Sequence, residues 1–403
     1  MLRAALLAVS LLAAPLAAQP ADQALLAAAT AEAPAVTRTL EALVNIETGT
    51  GDADGLETMA RYLEAALTPL GASFERVSPT AGVKGDILIA RLKGEGTGKL
   101  LLLSHMDTVY GRGATTAAPF RLEDGKAYGP GIADDKGGIA VILHSLKLLT
   151  PKDYGELTVA FNTDEETGSI GSGDIITTLA RGKTAVLSFE PTAPVETLIR
   201  GTSGTATVTL KIKGRASHAG NAPELGVNAL TEAAAVIART SDLDEGPGKL
   251  RFNWTVVQQP RSVRNIIPDD ITLVGDLRVS SEAEFESFSA TLKERLAKTS
   301  LPGAAYDLSL RLNRPPFTAT PASDALIDRA VAIYAGLGQR FQVVPRIGGG
   351  TDAGFAARAG VPVIESLGLP GAGYHASGAE YVLLEAVPRR LYLAAALIRD
   401  LGQ

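Results

Sequence analysis

The sequence has 403 residues, of which 46% are hydrophobic and 20% charged; this excludes a disordered or fibrous chain and suggests two or three domains. Its 44 acidic side chains outnumber 38 basic ones, and the net charge of −6 argues against a general nucleic-acid-binding protein. Cysteine is absent, which excludes thiol catalysis, disulfides and cysteine-ligated zinc. Any metal site must therefore be built from Asp, Glu and the four histidines.

The first 18 residues have the pattern of a secretory signal peptide. Arg3 supplies a basic charge, Leu6–Leu16 an apolar stretch, and Ala17 and Ala18 the small residues of a cleavage site. The apolar stretch is shorter than the ~20 residues that a membrane span requires, and no later stretch reaches that length. We expect a mature protein that is secreted or periplasmic, with neither a membrane nor a nucleic acid as partner.

In residues 22–203, apolar strands alternate with helices, which predicts an α/β unit with a mostly parallel sheet. We expect this segment to be the first part of a catalytic domain. The predicted elements are a helix around Ala60–Leu70, strands Leu100–Ser104, Leu157–Asn162 and Ala185–Phe189, and a helix over Gly137–Leu149. The glycine-rich segment Gly94–Lys99 lacks the spacing of a phosphate-binding loop. We expect a hairpin turn there.

Residues 204–314 have a different pattern, which predicts an inserted domain. The order of elements is βαββαβ, typical of a ferredoxin-like unit, with strands Thr207–Lys213, Arg251–Gln258, Ile271–Val279 and Tyr306–Leu312 and helices Asn228–Arg239 and Ala283–Lys298. The first of these strands alternates strictly between apolar and polar residues. We expect it to form a sheet edge that pairs with a second copy across a two-fold axis.

Residues 315–403 return to the first pattern and predict the second part of the catalytic domain. The predicted elements are a helix from Ser323, as N-cap, to Gly336, a strand Val361–Glu365 and a last helix Val387–Leu401.

Histidine, aspartate and glutamate recur near the ends of the predicted strands. The residues concerned are His105 and Asp107, Asp134 and Asp135 in a glycine-rich turn before a helix, Glu165 and Glu166, Glu190, and His375 in a glycine-rich loop. Taken singly, each fits a helix cap or a hydrogen-bonded loop residue. In open α/β sheets, however, ligands often lie at the carboxyl ends of the strands. Convergence of these side chains on two metal ions is the economical explanation.

The same segments resemble the co-catalytic di-zinc metallopeptidases. The matching stretches are SHMDTVYG, GPGIADDKGG, FNTDEETGS, LSFEPT, GRASHAG and GGGTDA. The group includes aminoacylase, succinyl-diaminopimelate desuccinylase and carboxypeptidase G, a glutamate carboxypeptidase to which the likeness is greatest and extends over nearly the whole mature chain. The resemblance implies a zinc-exopeptidase-like mixed sheet flanked by helices, with the inserted domain serving for dimerisation and as a lid.

The resemblance also implies a site with two Zn²⁺ per subunit, although other divalent ions suit such ligands. His105 and Glu190 would hold one ion and Glu166 and His375 the other; Asp134 would bridge them, Asp107 would orient His105, and the Asp134–Asp135 peptide would be cis. Three carboxylate ligands leave such a site with a charge of about +1, which lowers the pKa of a water between the ions to near 7. Glu165 would be the general base that takes its proton.

Further residues are implied for substrate recognition. By the resemblance, His218 would reach the active site of the partner in a homodimer, and Asn265 and Arg278 would bind the carboxylate of the substrate, for which a guanidinium is suited. Gly350, in a glycine loop, could add a peptide N–H to this anion site. Arg314 and Arg346 are further candidates for a side-chain carboxylate. We interpret His144, inside a predicted helix, as structural.

The predicted function is that of a metallocarboxypeptidase. It would remove a C-terminal amino acid, glutamate in the first place, from N-acyl, peptidyl or folate-type substrates by attack of the water held between the ions. One alternative is an aminoacylase or dipeptidase of broader specificity. Another is a metal-dependent binding protein without turnover, although such a protein does not need Glu165 beside its ligands. The chain has no G-x-S-x-G motif, which disfavours a serine hydrolase.

Overall fold

A computed structural model describes residues 20–403, so the predicted signal peptide lies outside the described residues. The first part of the chain forms a mixed α/β unit. Its helices are α1 (Gln23–Val44), α2 (Ala53–Leu67), α3 (Ala114–Ala117), α4 (Lys136–Leu146) and α5 (Gly173–Ala180). Its strands are β1 (Ser73–Val77), β2 (Ile87–Lys93), β3 (Lys99–His105), β4 (Arg121–Glu123), β5 (Lys126–Tyr128), β6 (Glu156–Asn162), β7 (Ala185–Ser188), β8 (Thr197–Ile199) and β9 (Gly201–Thr202).

The middle of the chain forms a separate four-stranded sheet with its own apolar core. Its elements are β10 (Gly204–Lys213), α6 (Ala229–Thr240), β11 (Arg251–Gln258), β12 (Asp270–Val279), α7 (Glu282–Arg295) and β13 (Ala305–Arg314). The strand order is β11–β12–β10–β13 and all pairings are antiparallel, which confirms the ferredoxin-like arrangement.

The expectation that Thr207–Lys213 forms a sheet edge is wrong. This segment belongs to β10, which pairs with β12 on one side and β13 on the other. Its alternation arises because Val208, Leu210 and Ile212 face the core of the unit while the polar side chains face away. Alternation therefore reports the two faces of a strand and carries no information about its neighbours. One edge of the sheet is instead β11, where the apolar side chains of Val256 and Val257 are exposed.

The last part of the chain completes the first unit. Its elements are β14 (Phe317–Thr318), α8 (Pro321–Gly336), β15 (Gln342–Val344), α9 (Ala353–Ala357), β16 (Val363–Ile364), β17 (Gly371–Ala372), β18 (Tyr381–Leu383) and α10 (Val387–Gly402). Helix α8 begins earlier than predicted. Thr320 caps it by accepting the peptide N–H of Ser323, and Pro321 occupies the first helical position, where its missing N–H is tolerated.

The main sheet has the order β1–β2–β6–β3–β7–β16. Strands β6 and β7 flank β3 in parallel and β2 joins β6 antiparallel, so the predicted mixed sheet is confirmed. Alternate leucines of β3 face opposite sides: Leu100 and Leu102 pack in the core with α1, α4 and α10, and Leu101 and Leu103 in the core with α5 and α9. Burial on both faces explains the continuous apolar run in this strand.

The segment Gly94–Lys99 is not a hairpin turn. It connects β2 to β3, and β6 lies between these two strands in the sheet. The consecutive strands β2 and β3 are thus separated by β6, which comes some 50 residues later in the chain. Long-range packing determines this order, which departs from the usual pairing of consecutive strands.

Two features of the architecture place the site. The carboxyl ends of β3, β6 and β7 meet at one edge of the main sheet, since these strands are parallel. A small sheet of order β17–β18–β5–β4 joins the segment before α4 to the loop after β17. Across residues 20–403, no helix combines the length and the apolar character that crossing a membrane requires.

Candidate active site

The five predicted metal ligands converge. His105 is the last residue of β3, Glu190 lies two residues beyond β7, and Glu166 lies in a short turn after β6. His105 Nε2 is 3.0 Å from Asp134 Oδ1 and 3.8 Å from Glu190 Oε1. His375 Nε2 is 3.2 Å from Asp134 Oδ2 and 3.3 Å from Glu166 Oε2. The result is two groups of three possible ligands that share Asp134, with one carboxylate oxygen directed to each group.

Burial and the repulsion between neighbouring carboxylates disfavour the ionised forms of Glu166 and Glu190. Burial, with the charge of Asp134, raises the pKa of Glu166 to about 8, and burial with the charge of Glu165 raises the pKa of Glu190 well above its usual range. Burial acts in the same direction on Asp134, but hydrogen bonds with His105 and His375 hold its pKa well below the ordinary value. Imidazole and carboxylate donors gathered in this way suit Zn²⁺, and cations would relieve the repulsion. The residues therefore fit a pair of divalent ions.

Asp107 supports the site from behind. Its carboxylate oxygens accept the peptide N–H groups of Glu165 and Glu166, at 3.1 and 3.2 Å, and the hydroxyl of Thr50 at 2.8 Å. His105 Nδ1 lies 3.0 Å from the backbone carbonyl oxygen of Asp107 and 3.4 Å from its carboxylate. The carbonyl is thus the nearer partner of the imidazole, while the carboxylate mainly fixes the turn that carries the two glutamates.

The predicted general base, Glu165, faces the site and is bound by Arg314. Its side chain is nearly buried, at 6% exposure, and its Oε1 lies 2.8 Å from Arg314 Nη1. The guanidinium also donates to the backbone carbonyls of Glu165 and Gly350. Burial raises the pKa of Glu165 to about 7, although the charge of Arg314 opposes this. A carboxylate with a pKa near neutrality is well matched to proton transfer.

A cavity of about 720 Å³ lies between the first unit and the inserted unit. Its lining includes Asp134, Glu165, Glu166, Glu190 and His375 from one side and Arg278 from the other, together with Gly350 and Arg314. Arg278 is in place to meet a substrate, but its Nε and Nη2 are paired with the two carboxylate oxygens of Asp276, at 2.8 and 2.9 Å. Gly350 fits only without a side chain, because a Cβ there would lie 2.9 Å from the carbonyl oxygen of Ser203.

His218 and Asn265 do not line this cavity, and neither does Arg346. The first two lie beside each other on the inserted unit, where the peptide N–H of Ala219 donates to the carbonyl of Asn265. The exposed His218 accepts the peptide N–H groups of Gly220 and Asn221 at Nδ1, both at 3.1 Å. Its Nε2 therefore carries the proton.

His144 is remote from the metal ligands. It belongs to α4 and its side chain contacts α1: Nδ1 is 2.6 Å from Glu32 Oε1 and Nε2 is 2.8 Å from the hydroxyl of Thr39. Both ring nitrogens have partners from α1, as expected of a structural histidine.

The Asp134–Asp135 peptide is cis, as the resemblance implied.

Two acidic residues near the site were not predicted from the sequence. Glu380 binds the backbone of the segment that carries Asp134, and the buried Asp352 accepts hydrogen bonds from Asn162, at 2.6 Å, and Ser169. Glu380 follows no apolar strand, so the pattern that marked the other acids could not mark it. Asp352 lies in the stretch GGGTDA, which resembles the metallopeptidase family, and that resemblance could have pointed to it.

The chain is similar to known proteins in both sequence and fold. Residues 101–400 match the family described as Peptidase family M20/M25/M40. Carboxypeptidase G2 of Pseudomonas sp. (strain RS-16) is 53% identical over 403 residues, covering 99% of this chain and 97% of that protein. The solved structure of a tripeptidase from Staphylococcus aureus has a TM-score of 0.76 at 21% identity, covering 92% of this chain and 98% of the other. That of the M20 family metallo-carboxypeptidase Sso-CP2 from Sulfolobus solfataricus has a TM-score of 0.73 at 16% identity, covering 90% and 98%. The metallopeptidase resemblance inferred from the motifs is thus confirmed, and the chain belongs to peptidase family M20/M25/M40.

Proposed function

We propose that the protein is a carboxypeptidase with two Zn²⁺ per chain that hydrolyses the amide bond to a C-terminal glutamate of N-acyl, peptidyl or folate-type substrates. The observation that carries the proposal is the pair of three-ligand groups sharing Asp134, with Glu165 beside them. The 53% identity to a protein named carboxypeptidase G2, over nearly the full length of both chains, supports the carboxypeptidase activity.

The residues of the site divide into metal ligands, a general base and a residue that holds the base in place. His105 and Glu190 would hold one ion, Glu166 and His375 the other, and Asp134 both. When bound, the ions supply Lewis acidity that polarises the scissile carbonyl and lowers the pKa of a water. Glu165 takes a proton from the attacking water and passes it to the leaving nitrogen. Arg314 contacts the Glu165 carboxylate at 2.8 Å and keeps it on the cavity side.

Arg278 would bind the C-terminal carboxylate of the substrate. A planar guanidinium forms two parallel hydrogen bonds with a carboxylate, and Arg278 already makes such a pair with Asp276. The substrate must therefore share or replace Asp276 as partner. Exchange of one carboxylate for another keeps the guanidinium paired throughout, and the peptide N–H of Gly350 would add a further donor.

A homodimer would complete the site. His218 and Asn265 lie together but outside the cavity of their own chain, while apolar side chains are exposed on the edge strand β11 and at Leu230 and Ile237 of α6. We propose that two copies associate through the inserted unit and that His218 and Asn265 act in the partner's site. The Nε2–H of His218 would then stabilise the oxyanion that forms on the substrate.

Complementation between two inactive variants tests this arrangement. Glu165→Gln and His218→Ala homodimers are each expected to have a strongly reduced kcat. After subunit exchange, about half of the dimers are mixed, and each mixed dimer has one site with both residues intact if His218 acts in the partner. Activity should then rise to about a quarter of wild type. If both residues act in the same chain, exchange restores nothing.

Substrate specificity is tested with N-acyl amino acids that differ only in the C-terminal residue, together with folates. Glutamate conjugates are expected to be hydrolysed fastest. Equal rates for glutamate and alanine conjugates would favour the aminoacylase or dipeptidase alternative. Binding without hydrolysis by the zinc-loaded protein would favour the non-catalytic binding protein.

We also propose export, with removal of residues 1–18. Asp22 caps α1, which starts at Gln23, so cleavage near Ala18 leaves the described elements whole. N-terminal sequencing of protein from a periplasmic fraction tests this, and a chain that retains Met1 in that fraction would contradict it.

A further inference from the structure

Glu380 is a buried carboxylate that receives four hydrogen bonds at one point of the site. Its Oε1 accepts the peptide N–H groups of Ala133, at 2.9 Å, and Asp134, at 3.1 Å. Its Oε2 accepts the peptide N–H of Gly131, at 3.1 Å, and the hydroxyl of Tyr110, at 2.7 Å. The residue is only 2% exposed, so water is excluded as a substitute partner.

These contacts require an oxygen atom at both positions of the side-chain carboxyl group. Two donors at each oxygen use the acceptor capacity of the group. A glutamine in its place would direct an NH₂ group at the peptide N–H of Gly131 or at those of Ala133 and Asp134. Peptide N–H groups cannot reverse their role, so either orientation leaves at least one buried donor unpaired, which costs about 1–3 kcal/mol.

Glu380 also joins two segments that each carry a predicted ligand. It lies five residues after His375 and directly before β18, whose Tyr381 pairs with Tyr128 of β5. Its side chain reaches the backbone of Asp134, some 246 residues earlier in the chain. Glu380 thus ties the loop of His375 to the segment of Asp134, two of the three members of the Asp134–Glu166–His375 group.

The two three-ligand groups differ in how well their histidines are supported. His105 is held at the end of a central strand and its side chain is 1% exposed, whereas His375 lies on a loop and its side chain is 52% exposed. The group containing His375 therefore depends more on contacts that fix its loop. The cluster formed by Glu380 and Tyr110 provides such a contact.

We propose that Glu380 is a positioning residue that holds Asp134 and His375 at their binding separation, and thereby sets the affinity of the Asp134–Glu166–His375 group for its ion. The inference rests on the proposed two-metal function. Some residues orient the metal ligands without binding the metal themselves. Their loss typically weakens metal binding by about 10- to 100-fold. We expect an effect of this size at the group that contains His375. The effect on the other group should be smaller, because it shares Asp134 but its His105 is held by β3.

The experiment is a titration of the metal-free protein with Zn²⁺ in competition with a chromophoric chelator. Wild type should bind two ions per chain. In Glu380→Gln, one ion should bind about 10- to 100-fold more weakly, and the other should be weakened less. The control is Glu385→Gln, the same chemical change five residues further on, at an exposed side chain that pairs with Arg389. Both affinities should remain unchanged in this variant.

Kinetics separate a positioning role from a general loss of structure. At saturating Zn²⁺ the kcat of Glu380→Gln should return towards the wild-type value with KM unaltered, because the substrate-facing Arg278 does not contact Glu380. If Glu380→Gln is not recovered folded, Tyr110→Phe decides. This variant removes one of the four donors and should weaken the same ion most, by about 2- to 10-fold.

The outcomes are distinguishable. Two Zn²⁺ affinities within about threefold of wild type in Glu380→Gln would overturn the role of Glu380. Where only Tyr110→Phe folds, two unchanged affinities in that variant would overturn it. Equal weakening of both ions would overturn it as well. A wild-type protein that binds a single ion would instead refute the two-metal function on which the inference rests.

Discussion

The adjacent residues Glu165 and Glu166 should respond in opposite ways to the same substitution. Glu165 Oε1 contacts Arg314, whereas Glu166 Oε2 contacts His375 within a predicted ligand group. We expect Glu165→Gln to bind two Zn²⁺ with almost no turnover. We expect Glu166→Gln to lose the ion of the His375 group.

The size of the effect at Glu165 follows from its surroundings. Glutamine has the same shape, and its amide oxygen can still accept from Arg314 at 2.8 Å, so the local geometry should persist. What is lost is a proton acceptor whose pKa burial raises to about 7. General acid–base catalysis contributes about 10²- to 10⁴-fold, and Glu165 serves both as base and as acid, so kcat should fall by about 10³-fold or more, or ~4 kcal/mol.

Metal binding should survive the loss of Glu165. Its charge helps to raise the pKa of Glu190, so its removal makes Glu190 easier to ionise and does not remove a ligand. The assay combines steady-state hydrolysis of a glutamate conjugate with elemental analysis of bound metal. A Glu165→Gln protein with two ions and a kcat within about tenfold of wild type would refute the assignment of the base. Loss of metal in that variant would place Glu165 among the ligands.

Three other changes test separate parts of the structure. Arg278→Lys should raise KM about tenfold or more with little change in kcat, because an ammonium cannot form two parallel bonds with a carboxylate; an unchanged KM in steady-state assays would exclude Arg278 from substrate binding. Gly138→Ala should lower the free energy of unfolding in urea by about 3 kcal/mol or more, since the added Cβ would lie 2.1 Å from the carbonyl oxygen of Phe189. Gly111→Ala, where a Cβ meets nothing within 4 Å, should stay within about 0.5 kcal/mol of wild type, and equal losses in the two variants would contradict the argument. Hydrogen bonds from the peptide N–H groups of Gly113 and Thr115 lower the pKa of Glu47 to about 2. Its contribution to stability is therefore present above the unfolded value of about 4.3 and is lost as pH falls towards 2. The wild-type advantage over Glu47→Gln, measured by urea unfolding of the metal-free proteins, should shrink between about pH 6 and about pH 3, and a constant difference would disprove this.

Local sequence patterns were sufficient for much of the fold and for the expectation that several acidic and histidine side chains lie together. Apolar strands that lead into His105, Glu166 and Glu190 predicted side chains at one edge of a parallel sheet, and the three parallel strands bring them there. The βαββαβ order predicted the inserted unit. These inferences succeed because the period of a strand and the residue at its end are properties of a short segment.

Only the tertiary structure decided which elements and side chains meet. It placed β10 inside its sheet, separated β2 from β3 by β6, kept His218 outside the cavity of its own chain, and brought Arg314 to Glu165 and Glu380 to the backbone of Asp134. The alternation of a strand reports which face is buried, and it is the same for a central and an edge strand. Contacts across 149 or 246 residues depend on how whole layers pack, and no local pattern of the sequence encodes them.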